Sequence, residues 1–213
     1  KKEKTLLAKY PNAKIVDVTS KATTGLVKLS PFYPHGDIPI PFSENRKAKS
    51  VEGIWQALKV FESADIDEAM FTNDTMKDIK RTVRKYGKPL GHRKGVNGTD
   101  LLNYIDARIQ IYLPSYLWVL EIIERLKEAS QKEDIVLLDY ETNCDVLNPK
   151  KPLSHAFLVK AYVEGHYPKA TDLYKELEQR KLNPVEEKPK KRATKPRTKK
   201  IQNKKDDNQT TLF

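Results

Sequence analysis

The chain has 213 residues, 38% hydrophobic and 32% charged, with a net charge of +11 at pH 7. That length supports one ordinary domain with appendages rather than two independent cores. No run approaches the eighteen or so apolar residues of a membrane span, so no membrane helix, signal peptide or transit segment is expected. A single cysteine, Cys144, excludes an internal disulfide framework and fits a reducing cytoplasmic setting.

In chain order, a lysine-rich leader precedes residues 14–18 (KIVDV) and 25–30 (GLVKLS), which read as short strands around a Ser/Thr/Lys turn. Pro31, Pro34, Pro39 and Pro41 around Gly36 rule out a helix over residues 31–49 and predict an irregular, partly extended loop with aromatic anchors. A helix is predicted over residues 50–61 (SVEGIWQALKVF), and a second over 74–86, with Asp74 as its cap and Gly87 beyond its end. Residues 87–99 read as a loop. Residues 100–112 and 115–130 read as two helices or one kinked helix, because Pro114 removes a backbone donor. The continuous apolar run at 134–140 (DIVLLDY) predicts a buried strand, and residues 152–165 and 169–181 predict two further helices. The reading is an α+β fold: one helix-rich domain over residues 11–183 with a small sheet.

Residues 184–213 differ in kind. From residue 185 onward ten Lys or Arg stand against four acids, a net +6, which leaves only +5 for residues 1–184. Pro184, Pro189 and Pro196 interrupt a stretch with almost nothing apolar to bury, so a disordered basic tail is expected.

Three stretches carry chemistry. In the helix at 50–61, Ser50 is a good N-cap and Val51, Ile54, Leu58 and Phe61 form one apolar stripe. Glu52, Gln56 and Lys59 fall on a neighbouring face as an acid, an amide and an amine in line. Gly53 among them is worth about 1 kcal/mol less than alanine in a helix, which suggests that something approaches the backbone closely. In residues 85–98, Gly87, Gly91, Gly95 and Gly98 stand among Lys85, Lys88, His92, Arg93 and Lys94. Freed amides beside cations suit a phosphate, although the spacing matches no known phosphate loop and a plain surface loop is the alternative. In residues 137–146 a strand runs into Glu141, Asn143 and Asp145, positions that suit chemistry or turn formation alike. His155, within an apolar helix, reads as a hydrogen-bonded core histidine. Cys144, His35, His92, His155 and His166 show no metal-ligand spacing, so neither metal nor cofactor is assigned.

The stretch KLSPFYPHGDIPIPF followed by AKSVEGIWQALKVFE resembles the signature of the NADAR superfamily. In that signature a Leu-Ser-x-Phe-Tyr-Pro segment precedes a helix of the form Ser-Val-Glu-x-x-x-Gln-Ala-x-Lys-Phe. Leu29, Ser30, Phe32, Tyr33, Pro34, Ser50, Val51, Glu52, Gln56, Ala57, Lys59 and Phe61 fit it. IKRTVRKYGKPLG and DIVLLDYETNCD resemble later segments of the family, so the similarity spans about residues 26–146. The chain departs from the pattern after Asp145, where VLNPKKPLSHA replaces the family's Trp-Gly pair. The resemblance implies a small α+β protein with N-glycosidase activity on ADP-ribose-linked or riboflavin-pathway compounds or, in one branch, on ADP-ribosylated guanine in DNA. It further implies that Glu52 and Lys59 belong to the site, with Glu141 and Asp145 as partners.

The residues suit that chemistry on their own terms. Breaking an N-glycosidic bond builds positive charge on the sugar, which calls for a carboxylate and for a proton source for the departing base. Glu52 would steady that charge or activate water; Lys59 would hold a phosphate or attack the sugar carbon as an amine. Gln56 would orient hydroxyls, and Phe32, Tyr33 or Trp55 would stack on a base, with core packing the alternative for Trp55. Gly53, His92 and Arg93 complete the expected binding set.

The tail supplies expected partners. Lys190, Lys191, Arg192, Lys195, Arg197, Lys199 and Lys200 form an arm suited to DNA phosphates. Gln209, Leu212 and Phe213 at the end resemble the Gln-x-x-Leu-Phe peptide with which bacterial and phage proteins grip a sliding clamp. The leading expectation is an N-glycosidase acting on a modified nucleotide or base, with DNA as the carrier. The alternatives are a non-catalytic accessory protein of replication or phage DNA metabolism that docks on the clamp, and a hydrolase of small metabolites with an incidental tail.

Overall fold

The computed structural model describes residues 3–121 and 134–182. Helices and three small sheets form an α+β domain. Helix α1 (Glu3–Lys9) leads into strand β1 (Lys14–Asp17), which pairs in parallel with β7 (Ile135–Leu138), Lys14 opposite Ile135 through Asp17 opposite Leu138. Parallel partners need a crossover connection. Here much of the domain lies between them, so the pair ties its first strand to its last.

Residues 25–29 form a 3-10 turn, not the expected strand. Thr24 caps it by accepting from the Leu26 amide, a local hydrogen bond that competes with an extended ladder. The proline-rich stretch is largely irregular, as read, with one short antiparallel pair, β2 (Ile38–Pro39) and β3 (Lys47–Ala48). Helix α2 (Val51–Ala57) begins at the expected cap, where the Ser50 hydroxyl accepts from the Gly53 amide at 3.0 Å. It stops at Leu58, earlier than the apolar stripe implies, and Lys59–Phe61 form strand β4. Val60 and Phe61 favour extended backbone, and their buried side chains serve the core from a strand as well as from a helix.

Strands β4, β5 (Pro89–Arg93) and β6 (Leu101–Leu102) make an antiparallel sheet, with Lys59 opposite His92 and Arg93 opposite Leu101. The expected loop at 87–99 is therefore half strand. The expected helix at 74–86 is reduced to α3 (Val83–Tyr86), closed by Gly87. What precedes it is irregular, with the Asn73 side chain gathering Thr75 and the Lys77 carbonyl.

From Tyr104 the chain is helical to the edge of the described span: α4 (Tyr104–Ala107), a π-helical turn (Arg108–Tyr112) and α5 (Leu113–Glu121). The Leu113 amide bonds to the Arg108 carbonyl, five residues back, and this wider turn lets Pro114 enter without ending the helix. The remainder of the predicted 115–130 helix lies outside the described residues. Strand β7 is half-buried rather than buried. Helices α6 (His155–Val163) and α7 (Ala170–Leu182) follow as read.

The core gathers Val18, Leu29, Ile54, Leu58, Ile109, Ile111, Tyr116, Val119 and Leu158. The Tyr116 hydroxyl donates to the Leu29 carbonyl at 2.5 Å, pinning the loop before α2 to α5. The Glu52 amide donates to the Pro31 carbonyl at 2.8 Å, fixing the same loop to the first turn of α2. All seven residues of α2 are buried, so neither of its faces is a solvated flank.

Gly53 is explained by the protein's own backbone. A Cβ there would lie 2.7 Å from the Met70 carbonyl oxygen, in the 3-10 turn Glu68–Thr72 that crosses the helix. Gly53→Ala is therefore expected to destabilise the protein by about 1–3 kcal/mol, against the roughly 1 kcal/mol gained in helix propensity. Urea unfolding of the two proteins measures the sign.

Candidate active site

The unsolvated back of α2 faces a cavity of about 640 Å³. Glu52, Trp55 and Gln56 line it from α2, Lys59 from β4, and Ser30, Pro31 and Phe32 from the preceding loop. Lys80–Val83 contribute from the segment before α3, and Asp139, Tyr140, Glu141 and His155 from the end of β7 and the start of α6. Tyr104, Arg108 and Tyr112 complete the wall, at four-residue spacing. Four residues overshoot an α-helical turn by roughly 40°, and the π-helical turn reduces that drift to keep them on one side.

Glu52 is 8% exposed. Burial raises its pKa, opposed by the hydrogen bond from Gln56 and by the charges of Lys59 and Lys80. The Gln56 amide is the connector. Its Nε2 donates to Glu52 Oε1 at 2.7 Å, while its Oε1 accepts from Lys59 Nζ at 3.1 Å and from the Arg81 backbone amide at 3.0 Å. Burial lowers the Lys59 pKa, Glu52 opposes the change, and Arg81 and Lys80 add to it. Glu52 and Lys59 thus meet on one cavity although Lys59 is on a strand, because the amide between them spans the end of the helix. Gln56 is committed to holding the two charged groups and has a single N–H left for a ligand.

Arg81 is buried as deeply as Glu52, and it is held by carbonyls. Its Nη1 reaches the carbonyls of Gln56 (3.2 Å) and Lys59 (2.5 Å), and its Nη2 that of Asp65 (2.6 Å). Arg108 does the same across the cavity, donating to the carbonyls of Val146 (2.7 Å), Asn148 (2.9 Å) and Lys151 (3.0 Å) and to the Tyr104 hydroxyl (2.8 Å). Both arginines build walls.

At the far side Asp139 accepts at Oδ2 from the Ser154 hydroxyl (2.7 Å), the Ala156 amide (3.2 Å) and His155 Nδ1 (3.1 Å). His155 Nε2 lies 2.8 Å from the Val18 carbonyl. The histidine is hydrogen-bonded, as its sequence context suggested, and it also lines the cavity. Burial works against ionisation of Asp139, but His155, Ser154 and the Ala156 amide outweigh it and hold the carboxyl down at about 2.

Of the other residues singled out in the sequence, Phe32, Trp55 and Glu141 reach the cavity. Tyr33, Gly53, His92, Arg93 and Asp145 do not line it. The Tyr33 ring packs edge-on against His35. His92 is 2% exposed, with its ring 3.8 Å from that of Trp55 and both nitrogens unpartnered. Arg93 is paired with Asp65 at 2.5 Å. Asp145 is a turn residue, capping the Leu147 amide and paired with Arg180 at 2.8 Å. Nor do the amides of Gly87, Gly95 and Gly98 form an anion nest: they donate to the Val83, Arg93 and Gly95 carbonyls, and the Cβ positions of Gly91, Gly95 and Gly98 would fall 2.0–2.6 Å from the Leu102, Phe42 and Lys94 carbonyl oxygens. The tail cations Lys190, Lys191, Arg192, Lys195, Arg197, Lys199 and Lys200, and Gln209, Leu212 and Phe213, lie outside the described residues. Among the described residues no three His, Cys, Asp or Glu converge as a metal site, and no helix is long and apolar enough to cross a membrane.

A family model described as a family of unknown function (DUF6939) matches residues 1–159. The chain belongs to that family. No curated protein matches the sequence. Every residue lining the cavity, from Ser20 to His155, falls inside the DUF6939 match, whereas α7 lies beyond it.

Two buried groups give the DUF6939 domain a pH signature of opposite signs. His92 is pushed down to about 3 by burial and by Lys59. Between about 3 and 6.5 the unfolded state binds the extra proton, so stability present above pH 6.5 is lost on acidification. The loss is about 2 kcal/mol by pH 5, at 1.36 kcal/mol per pH unit. His92→Phe, which keeps a ring on Trp55, is expected to narrow its stability gap to the wild type by that amount between pH 7 and pH 5 in urea titrations. For Glu52 the raised pKa means that the folded state binds the extra proton, so stability falls as pH rises above 4.5. The Tm of Glu52→Gln is therefore expected to rise relative to wild type from pH 4.5 to pH 7, as read by thermal melts.

Proposed function

We propose that this protein is an N-glycosidase that hydrolyses the bond between sugar and nitrogen in a modified nucleotide or nucleobase, ADP-ribosylated or otherwise modified, carried on DNA in the cytoplasm. The observation that carries the reading is the buried Glu52 carboxyl, hydrogen-bonded through Gln56 to Lys59 at the wall of a half-open cavity. A cavity of about 640 Å³ is of the size that ligand sites use and has room for a nucleotide.

Each element of the site has a part. A carboxyl whose pKa is raised by burial suits a group that must carry a proton to a departing base and take one from water. Trp55 and Phe32 offer aromatic surface for a base. Lys59 within, and Lys80 at the exposed edge over the Phe32 ring, supply positive charge for the anionic part of a nucleotide. The resemblance of residues 26–146 to the NADAR superfamily points to the same bond. The assignment of DNA rests on the basic tail, and that of a sliding clamp on Gln209, Leu212 and Phe213. The exposed free thiol of Cys144 suits a reducing compartment.

The test incubates the protein with plain DNA, with ADP-ribosylated and otherwise modified DNA, and with free ADP-ribose conjugates, and searches by mass spectrometry for released base or sugar. Wild type is expected to release one, and Glu52→Gln to lose at least about 100-fold while remaining folded. Truncation after residue 183 is expected to slow release from DNA and weaken its salt dependence, but to leave a free conjugate untouched. No release from any probe, or an unimpaired Glu52→Gln, overturns the reading.

A further inference from the structure

Asp139 carries less of a signal in the sequence than Glu141 or Asp145, yet it is the better anchored acid on the cavity. Its side chain is only 5% exposed. Oδ2 faces three donors, from Ser154, Ala156 and His155, and each belongs to the start of α6. Oδ1 accepts only a long bond, 3.3 Å, from the Glu141 amide. The carboxylate is thus gripped by one oxygen while the residue still lines the cavity. His155 in turn faces an acceptor from each nitrogen, Asp139 on one side and the Val18 carbonyl on the other, an arrangement that two ring N–H donors satisfy. By contrast, Asp145 is spent on Arg180 outside the cavity. Glu141 is half-buried and lines the cavity three residues past the strand end.

Glu52 lies on another wall of the same cavity, and the Tyr112 hydroxyl feels both acids: burial first, then Glu52 and, more weakly, Asp139 push its pKa up. Besides Glu141, the cavity therefore carries two anchored carboxyl groups in unlike surroundings, Glu52 beside a neutral amide and Asp139 among N–H and O–H donors. Such a division lets two carboxyls of one site take different roles.

We propose, on the basis of the N-glycosidase reading, that Asp139 is the second catalytic carboxylate of this site and faces the cation that forms on the sugar, while Glu52 carries the proton. The bond from the anomeric carbon to nitrogen breaks, its electron pair goes to the departing base, and the Glu52 carboxyl protonates that base. The sugar cation is held against the Asp139 carboxylate. Water adds to the anomeric carbon and gives up a proton to the Glu52 carboxylate, which restores the starting enzyme. Asp139 neither gains nor loses a proton.

The experiment measures kcat and KM for Asp139→Asn in the full chain, on whichever probe the wild type cleaves, with Tm recorded alongside. Asparagine keeps an oxygen to cap Ser154 and Ala156 but removes the charge. The expected result is a fall in kcat of about 100-fold or more with KM within about threefold of wild type and a folded protein. In Asp139→Ala, added formate or azide is expected to restore at least about tenfold of the lost rate, a rescue that a purely structural role would not give; should that variant not fold, the kcat of Asp139→Asn decides. An Asp139→Asn rate within about threefold of wild type overturns this assignment and leaves the N-glycosidase reading standing. A wild type that cleaves no probe overturns the reading itself.

Discussion

A seven-residue helix with no solvated face must find partners inside the protein for every polar atom it carries. Helix α2 carries a carboxyl and an amide on its back, Glu52 and Gln56, and leaving either unpaired would cost more than a hydrogen bond typically returns. The amide resolves this by bonding both ways, to Glu52 on its nitrogen and to Lys59 and the Arg81 backbone on its oxygen. These bonds tie the helix to the strand that leaves it and to the segment before α3. A buried network of this kind is stable only when each member is satisfied, so moving one wall disturbs the others.

The two buried arginines extend the same constraint outward. Arg81 and Arg108 each lie within a cage of backbone carbonyls, with the aromatic faces of Tyr86 and Tyr104 about 5 Å away or closer. Carbonyl oxygens satisfy guanidinium N–H groups without adding a compensating negative charge, so both cations remain electrostatically available to the cavity. Arg108 holds residues 146–151, which have little regular structure of their own, and Arg81 ties the end of α2 and strand β4 to the turn at Asp65. Secondary structure alone would not position those segments; the arginine forks do.

How much of this was legible follows from the range of the forces involved. The Ser50 cap, the apolar positions Val51, Ile54 and Leu58, and the apolar run of β7 act locally, and each is found where its pattern puts it. Phe61 satisfies the helical spacing but is buried from a strand, because a three-residue run after a helix cannot reveal its period. Glu52 and Lys59 do share a cavity, through Gln56 and not through two turns of helix. Gly53 signals a close approach correctly in kind, yet the group that approaches is Met70 from a turn seventeen residues on, and only tertiary structure can name it. The glycines of residues 87–98 mislead for the same reason, since a glycine that admits a neighbouring carbonyl looks in sequence like one that frees an amide for an anion. The one local clue to Asp139 was its place as the first polar residue after the β7 run, which is weaker than two acids in the following loop.

The parallel pairing of β1 with β7 explains why Asp139, and neither of those two acids, is the anchored one. The register sets Asp17 opposite Leu138, and the Val18 amide then bonds to the Leu138 carbonyl at 3.3 Å, so the two strands end together. Immediately past that point the Val18 carbonyl is free to receive His155, and Asp139 is the first residue beyond the ladder that can meet the start of α6. The residues beyond it enter a turn stabilised by its own Asn143 and Asp145 side chains, and there it is the Asn143 carbonyl, not a carboxylate, that meets the Ser154 amide. A helix N-terminus favours a carboxylate through its unpaired amides, and Ser154 and the Ala156 amide supply that here from a helix whose first residue is the histidine itself. The strand register, the helix start and the charge of Asp139 are therefore a single arrangement. A one-residue slip of β7 would turn Asp139 to the opposite face and leave His155 without its carboxylate.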